Sequence, residues 1–201
     1  MNSRYIQTIA STIHAAYIST MSGLYLCGCD MDYSYSLRWS MMYFVVDMAY
    51  LSVSALSVSS SSVSSSSVSS SSVSALSVSA PSLDTQIMIH HVSGIVALLP
   101  NFFAPSPIYY YMAAIGFMSE ISTVPLNICW YLHNTRQTDS ILYKPMGFTT
   151  LMLYVPFRLI GFPYVFVLLV NNGYWILSAF CSAVIALNYM WFFKLLKRAI
   201  N

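Results

Sequence analysis

Charge is what this sequence has least of. Of 201 residues only 7% are Asp, Glu, Lys or Arg, against 57% hydrophobic. An ordinary globular domain carries about 25% charged residues, so the material for a wetted surface is missing and a soluble domain is excluded. The high apolar content equally excludes disorder as the general state of the chain. Basic residues are too few for nucleic acid: the net charge is +2, with no basic patch or arm beyond the last few residues. Cysteines are scarce as well. Cys27, Cys29, Cys129 and Cys181 fall at helix ends or inside apolar runs and form no zinc spacing, so no metal site is expected.

Long apolar runs are present instead. Spanning a bilayer takes roughly 20 mainly apolar residues, and six segments approach or meet this, at about 5–27, 37–56, 86–104, 108–132, 146–170 and 174–194. Turn residues separate them: Cys29-Asp30-Met31-Asp32, Ala104-Pro105-Ser106-Pro107, Asn134 to Lys144, and Asn171-Asn172-Gly173. The first segment is longer than a signal-peptide core and is followed by no small-residue cleavage site, so it is expected to be a retained helix. With six spans, Arg4, Arg136, Lys144, Lys194, Lys197 and Arg198 share one side and Arg38 takes the other, which puts both termini in the cytoplasm. Residues 52–82 are almost entirely Ser with Val, Ala and Leu, and Ser59 to Val73 is three copies of Ser-Ser-Ser-Ser-Val. This bias carries no folding signal and predicts a cytoplasmic loop between spans two and three.

Within the runs, ionisable groups stand singly. Asp47, Glu120 and Arg158 lie near the middle of spans two, four and five, and His14 lies in span one. Facing lipid, each such charge costs about 2.5–3.5 kcal/mol, which mutual pairing inside a bundle largely removes. His90 and His91 are neighbours about 100° apart on a helix, so they face different ways, four to five residues inside the cytoplasmic end. Imidazole there suits proton transfer near neutral pH. Glu120, Thr123 and Asn127 are spaced as one polar stripe. Pro125 deprives the Ile121 carbonyl of its helical partner, and Pro156 and Pro163 bracket Arg158, so both helices are expected to kink beside their charged residue. An intramembrane ionisable residue is a functional-site hypothesis by default.

Taken in order, Asn2-Ser3-Arg4, Ser11-Thr12-Ile13-His14-Ala15, Asp47, His90-His91, Glu120-Ile121-Ser122-Thr123 with Asn127 and Trp130, and Arg158 resemble the TLC-domain family. That family is named for TRAM, the LAG ceramide-synthase proteins and CLN-type proteins, and the resemblance covers most of the chain outside the Ser tract. Its ceramide synthases share the double His, where the family's catalysis is assigned, and add an Asp pair in the following helix. Span four here has no Asp. The match is therefore closer to the small TLC-domain-containing transmembrane proteins.

The expectation is an all-α, polytopic bundle of about six transmembrane helices around a polar cavity, one TLC-like domain over 1–201 with its Ser-rich loop at 52–82, integral to the endoplasmic reticulum membrane. Its expected work is lipid homeostasis: binding, moving or controlling a membrane lipid through Glu120, Thr123, Asn127, Arg158 and His14, with Arg158 holding a phosphate or carboxylate headgroup. The alternative is an acyltransferase using His90 or His91 as general base with Asp47, and acyl-CoA as co-substrate. A third reading is a non-catalytic scaffold whose charges only pair. No resident cofactor is expected.

Overall fold

Turn residues set where the helices of this chain stop. The structure, a computed structural model, describes residues 3–62 and 83–200, and these are helical apart from short turns. We number them α1 (Ser3–Leu26), α2 (Tyr33–Ser62), α3 (Leu83–Phe103), α4 (Pro107–Asn134), α5 (Tyr143–Asn171) and α6 (Trp175–Ile200). α1 ends where Gly28 takes φ 80°, its amide donating to Tyr25 O and that of Cys29 to Leu24 O. α5 ends the same way at Gly173, with φ 76°, in bonds from Gly173 and Tyr174 to Val170 O and Leu169 O. A left-handed residue there satisfies the last carbonyls, and glycine adopts it without a Cβ clash. Before α2, the Asp32 carboxylate accepts from the Ser34 amide at 3.0 Å. The Ser34 side chain, and next its amide, hold that carboxyl below the usual carboxylate range. Ser106 caps α4 by accepting from the Tyr109 amide, with Pro107 at the first helical position.

The pattern of exposure is inverted relative to a soluble protein. Ile13, Trp39, Val46, Ile160 and Ile176 lie on the outside, while Ser22, Ser36, Ser40 and Asn188 are completely or almost completely buried. α3, α4, α5 and α6 are each long and apolar enough to cross a membrane. α1 and α2 match them in length but carry more hydroxyls. Those hydroxyls find partners inside the protein: Thr12, Ser19 and Thr20 donate to carbonyls four residues back, and Ser22 pairs with the Tyr33 hydroxyl at 2.6 Å. Satisfied in this way, a hydroxyl no longer needs water. The result is an all-helical membrane bundle.

Around the bundle the neighbours run α1, α2, α3, α6, α5, α4 and back to α1. α4 also touches α3, and it contributes to both apolar cores. One core joins Ile18, Leu37, Phe44, Leu98 and Ala114; the other joins Met112, Val165, Leu169 and Leu177. Gly94 lets α3 lie against Phe44, since a Cβ there would come within 2.7 Å of the ring.

Two departures from sequence expectation bear on the site. The Ser-rich loop was expected from residue 52, yet α2 continues through Ser62. Ser52 donates to Met48 O at 2.9 Å, so the hydroxyl is accommodated on the helix. Residues 63–82, with most of the repeat, lie outside the described residues. The second departure concerns the prolines. α4 tightens to a 3₁₀ turn over Ser119–Ser122, just ahead of Pro125, and α5 widens to a π turn over Val155–Ile160, around Pro156. In the π turn the Gly161 amide reaches back five residues to Pro156 O. A proline withholds one helical donor, and each helix redistributes its bonds around the gap.

Candidate functional site

The two distorted turns face each other, and together they surround Arg158. Its side chain is buried and its donors are committed. Nε donates to Ser122 Oγ at 2.8 Å and Ser119 O at 3.2 Å. Nη1 donates to Asn188 Oδ1 at 3.2 Å, and Nη2 to Thr123 Oγ1 at 2.7 Å. The Tyr154 ring lies 5.3 Å from the guanidinium carbon, and the Tyr154 hydroxyl donates to Asn188 O. The π turn explains how Arg158 comes to lie here: it lengthens one helical turn and shifts the residues after it around the axis. The 3₁₀ turn opposite presents the Ser119 carbonyl and the Ser122 hydroxyl to the same guanidinium.

Glu120 completes the cluster. Its Oε2 accepts from Thr123 Oγ1 at 2.9 Å. Its Oε1 lies 3.7 Å from Arg158 Nη2 and 3.6 Å from His90 Nε2. The Arg158 contact is an ion pair, and both distances are longer than a hydrogen bond. The His90 ring also meets the edge of Trp191, at a centroid distance of 5.9 Å. Trp191 in turn donates to Gln86 Oε1 at 2.7 Å, closing off the end of the bundle above His90.

His91 turns away from His90 to a second carboxylate. Its Nδ1 lies 3.2 Å from Asp47 Oδ2 without hydrogen-bond alignment, and Gln7 Nε2 donates to Asp47 Oδ1 at 3.1 Å. The two ring centroids are 5.7 Å apart, so the adjacent histidines join two acid–imidazole pairs into one intramembrane polar layer.

Not every sequence-predicted residue enters that layer. Glu120, Thr123, Arg158 and His90 converge, and Asp47 and His91 form the adjoining pair. Asn127 belongs elsewhere: its amide donates to Thr12 Oγ1 at 3.0 Å and ties α4 to α1. The stripe from Glu120 to Asn127 is thus split by the 3₁₀ turn and by α1. His14 bonds Ser40 at 3.1 Å and stacks on Tyr43 at 3.9 Å between centroids. Sequence reasoning missed Ser119, Ser122, Asn188, Tyr154, Gln7 and Trp191. Asn188 carried a usable signal, a lone amide inside the apolar run of α6. Serines and a tyrosine carried none, because such residues recur throughout the chain.

Below the polar layer lies a cavity of about 110 Å³ between α3, α4, α5 and α6, with Phe44 of α2 also in its wall. His90, Ser119 and Glu120 form its polar end, and apolar groups such as Leu98, Met112, Val165 and Leu177 line the remainder. The space expected from sequence to be polar is therefore mainly apolar, since the polar groups mostly satisfy one another. Among the described residues, no group of three or more His, Cys, Asp or Glu side chains is placed to hold a metal ion.

The family model for the TLC domain matches residues 4–197. No curated protein and no solved structure matches the chain.

Proposed function

The chain belongs to the TLC-domain family, and on that premise we propose that it binds, moves or controls a membrane lipid. The observation that carries this reading is an apolar cavity between membrane-crossing helices, with His90 and Glu120 at its polar end. A hydrocarbon chain suits the apolar walls and a polar head suits the His90–Glu120 end. Arg158 acts mainly through Glu120 and the 3₁₀ turn, since its donors already serve Ser122, Thr123 and Asn188. We place the chain with the small TLC-domain proteins rather than with ceramide synthases, because α4 carries Glu120 and no Asp.

A second reading, acyl transfer, is favoured by His90, which lines the cavity and has an Nδ1 that is buried without a partner. That imidazole would act as general base toward a hydroxyl or amine, with acyl-CoA as co-substrate. Mass spectrometry of lipids extracted from the purified wild type and the His90→Ala/His91→Ala variant, each incubated with acyl-CoA and lipid alcohols and amines, separates the two. Lipid handling is expected to give a retained lipid and no acylated product. A product made by the wild type alone would replace it with acyl transfer.

The reading also takes the membrane to be that of the endoplasmic reticulum, and the excess of Lys and Arg on the terminal side puts both termini in the cytoplasm. Cys27 and Cys29, exposed in the α1–α2 turn, then lie in the lumen. An impermeant maleimide is expected to reach them only in permeabilised microsomes; labelling of sealed ones would reverse the orientation.

A further inference from the structure

The cavity has a sideways opening. Of the residues that line it, Ala97 is the one that is exposed among the described residues, and it stands on α3, which packs against α6, whose Phe180 also lines the cavity. An alanine has a single methyl group, so the side that borders the cavity is also the side that faces the bilayer. The His90 end is more tightly packed by contrast: Gln86, 2% exposed, accepts from Trp191, whose ring packs against His90. The route into this space therefore runs through the membrane.

Volume limits what fits. An apolar cavity of about 150 Å³ takes a benzene molecule, so about 110 Å³ takes a short hydrocarbon segment. From His90 to Ala97 is seven residues, or about 10 Å along the helix. A head and its first few carbons fill that distance, and the rest of the chain passes out at Ala97 into lipid.

Charge selects the head. Glu120 Oε1 lines the cavity end with no donor closer than 3.6 Å, so it lacks a full hydrogen bond. A carboxylate head would meet Glu120, and an ammonium head at that carboxylate would lie close to Arg158, whose Nη2 is 3.7 Å from Glu120 Oε1, so each carries a cost of like-charge repulsion in a low dielectric. A neutral donor meets neither penalty. We propose that the α3–α6 seam at Ala97 is a lateral portal through which a single-chain lipid with a neutral hydroxyl head inserts from the bilayer, its hydroxyl donating to Glu120.

This inference rests on the lipid-handling reading and is tested separately from it. The full chain in nanodiscs would be labelled with a tetradecanol probe carrying a photoreactive diazirine near its head. Saturable labelling of α3 and α4 around His90 and Glu120 is expected, with tetradecanol competing at least about tenfold better than tetradecanoate or tetradecylammonium. Ala97→Trp, a change at an exposed position, is expected to lower labelling about tenfold or more with an unchanged thermal midpoint. Unchanged labelling in folded Ala97→Trp, or equal competition by the acid or amine, overturns the inference. If a lipid is still retained on purification, the lipid-handling reading survives that result. Absence of both labelling and retained lipid overturns the two together.

Discussion

Arg158 and Glu120 are the residues on which the interior of this protein turns. A guanidinium inside a membrane bundle is tolerable only with its donors occupied, and here three donor nitrogens reach α4 and α6 at once. Removing it leaves Glu120 buried without its guanidinium partner. Arg158→Ala is therefore expected to lower stability by about 3–5 kcal/mol, the usual cost of breaking a buried pair. Thermal unfolding in detergent would measure it. Arg158→Lys is expected to recover only part of that loss, because a point charge cannot fork to Ser122, Thr123 and Asn188 together. A lysine variant as stable as the wild type would show that charge alone matters. The charged residues were legible in the sequence because charge inside an apolar run has few innocent explanations. Their partners were not. Nothing in a single sequence separates Ser122, which holds Arg158, from the many serines that hold nothing but their own helix.

Helices bring these residues together through distortion. The prolines announced that α4 and α5 are irregular, yet the form of each irregularity, tightened at Ser119–Ser122 and widened at Val155–Ile160, depends on what packs across from it. Sequence spacing assumed a regular helix and so put Asn127 on one stripe with Glu120 and Thr123; the 3₁₀ turn and the nearness of α1 gave Asn127 to Thr12 instead. Helix ends were read well, because Asp32, Ser106-Pro107 and Gly173 act locally. The end of α2 was not, since a Ser-Val run has no stop signal of its own. The α2–α3 seam gives a test at this scale. Gly94→Ala would drive a methyl into the buried Phe44 ring and is expected to cost about 1–3 kcal/mol. Phe44→Leu in the same chain is expected to relieve part of that cost, a non-additivity that thermal unfolding of the single and double variants would show. Simple addition of the two effects would mean that the helices do not meet there.

At the scale of the molecule, composition alone dictated a membrane bundle, and the inward turn of Ser, Asn and Arg with apolar residues outside follows from it. The cavity was less accessible to sequence reasoning. Its walls come from five helices and consist of ordinary apolar residues, whose cooperation only the packing reveals. The account stands or falls on whether a lipid occupies that space. Gly116 offers the cleanest handle: it lines the cavity, and a Cβ added there meets no atom within 4 Å. Mass spectrometry of lipids retained by purified wild type and by Gly116→Leu, with thermal unfolding as the control for folding, is the most direct measurement. A specific lipid held by the wild type and lost from a folded Gly116→Leu is the expected result. Equal lipid in both proteins, or none in either, would contradict the account.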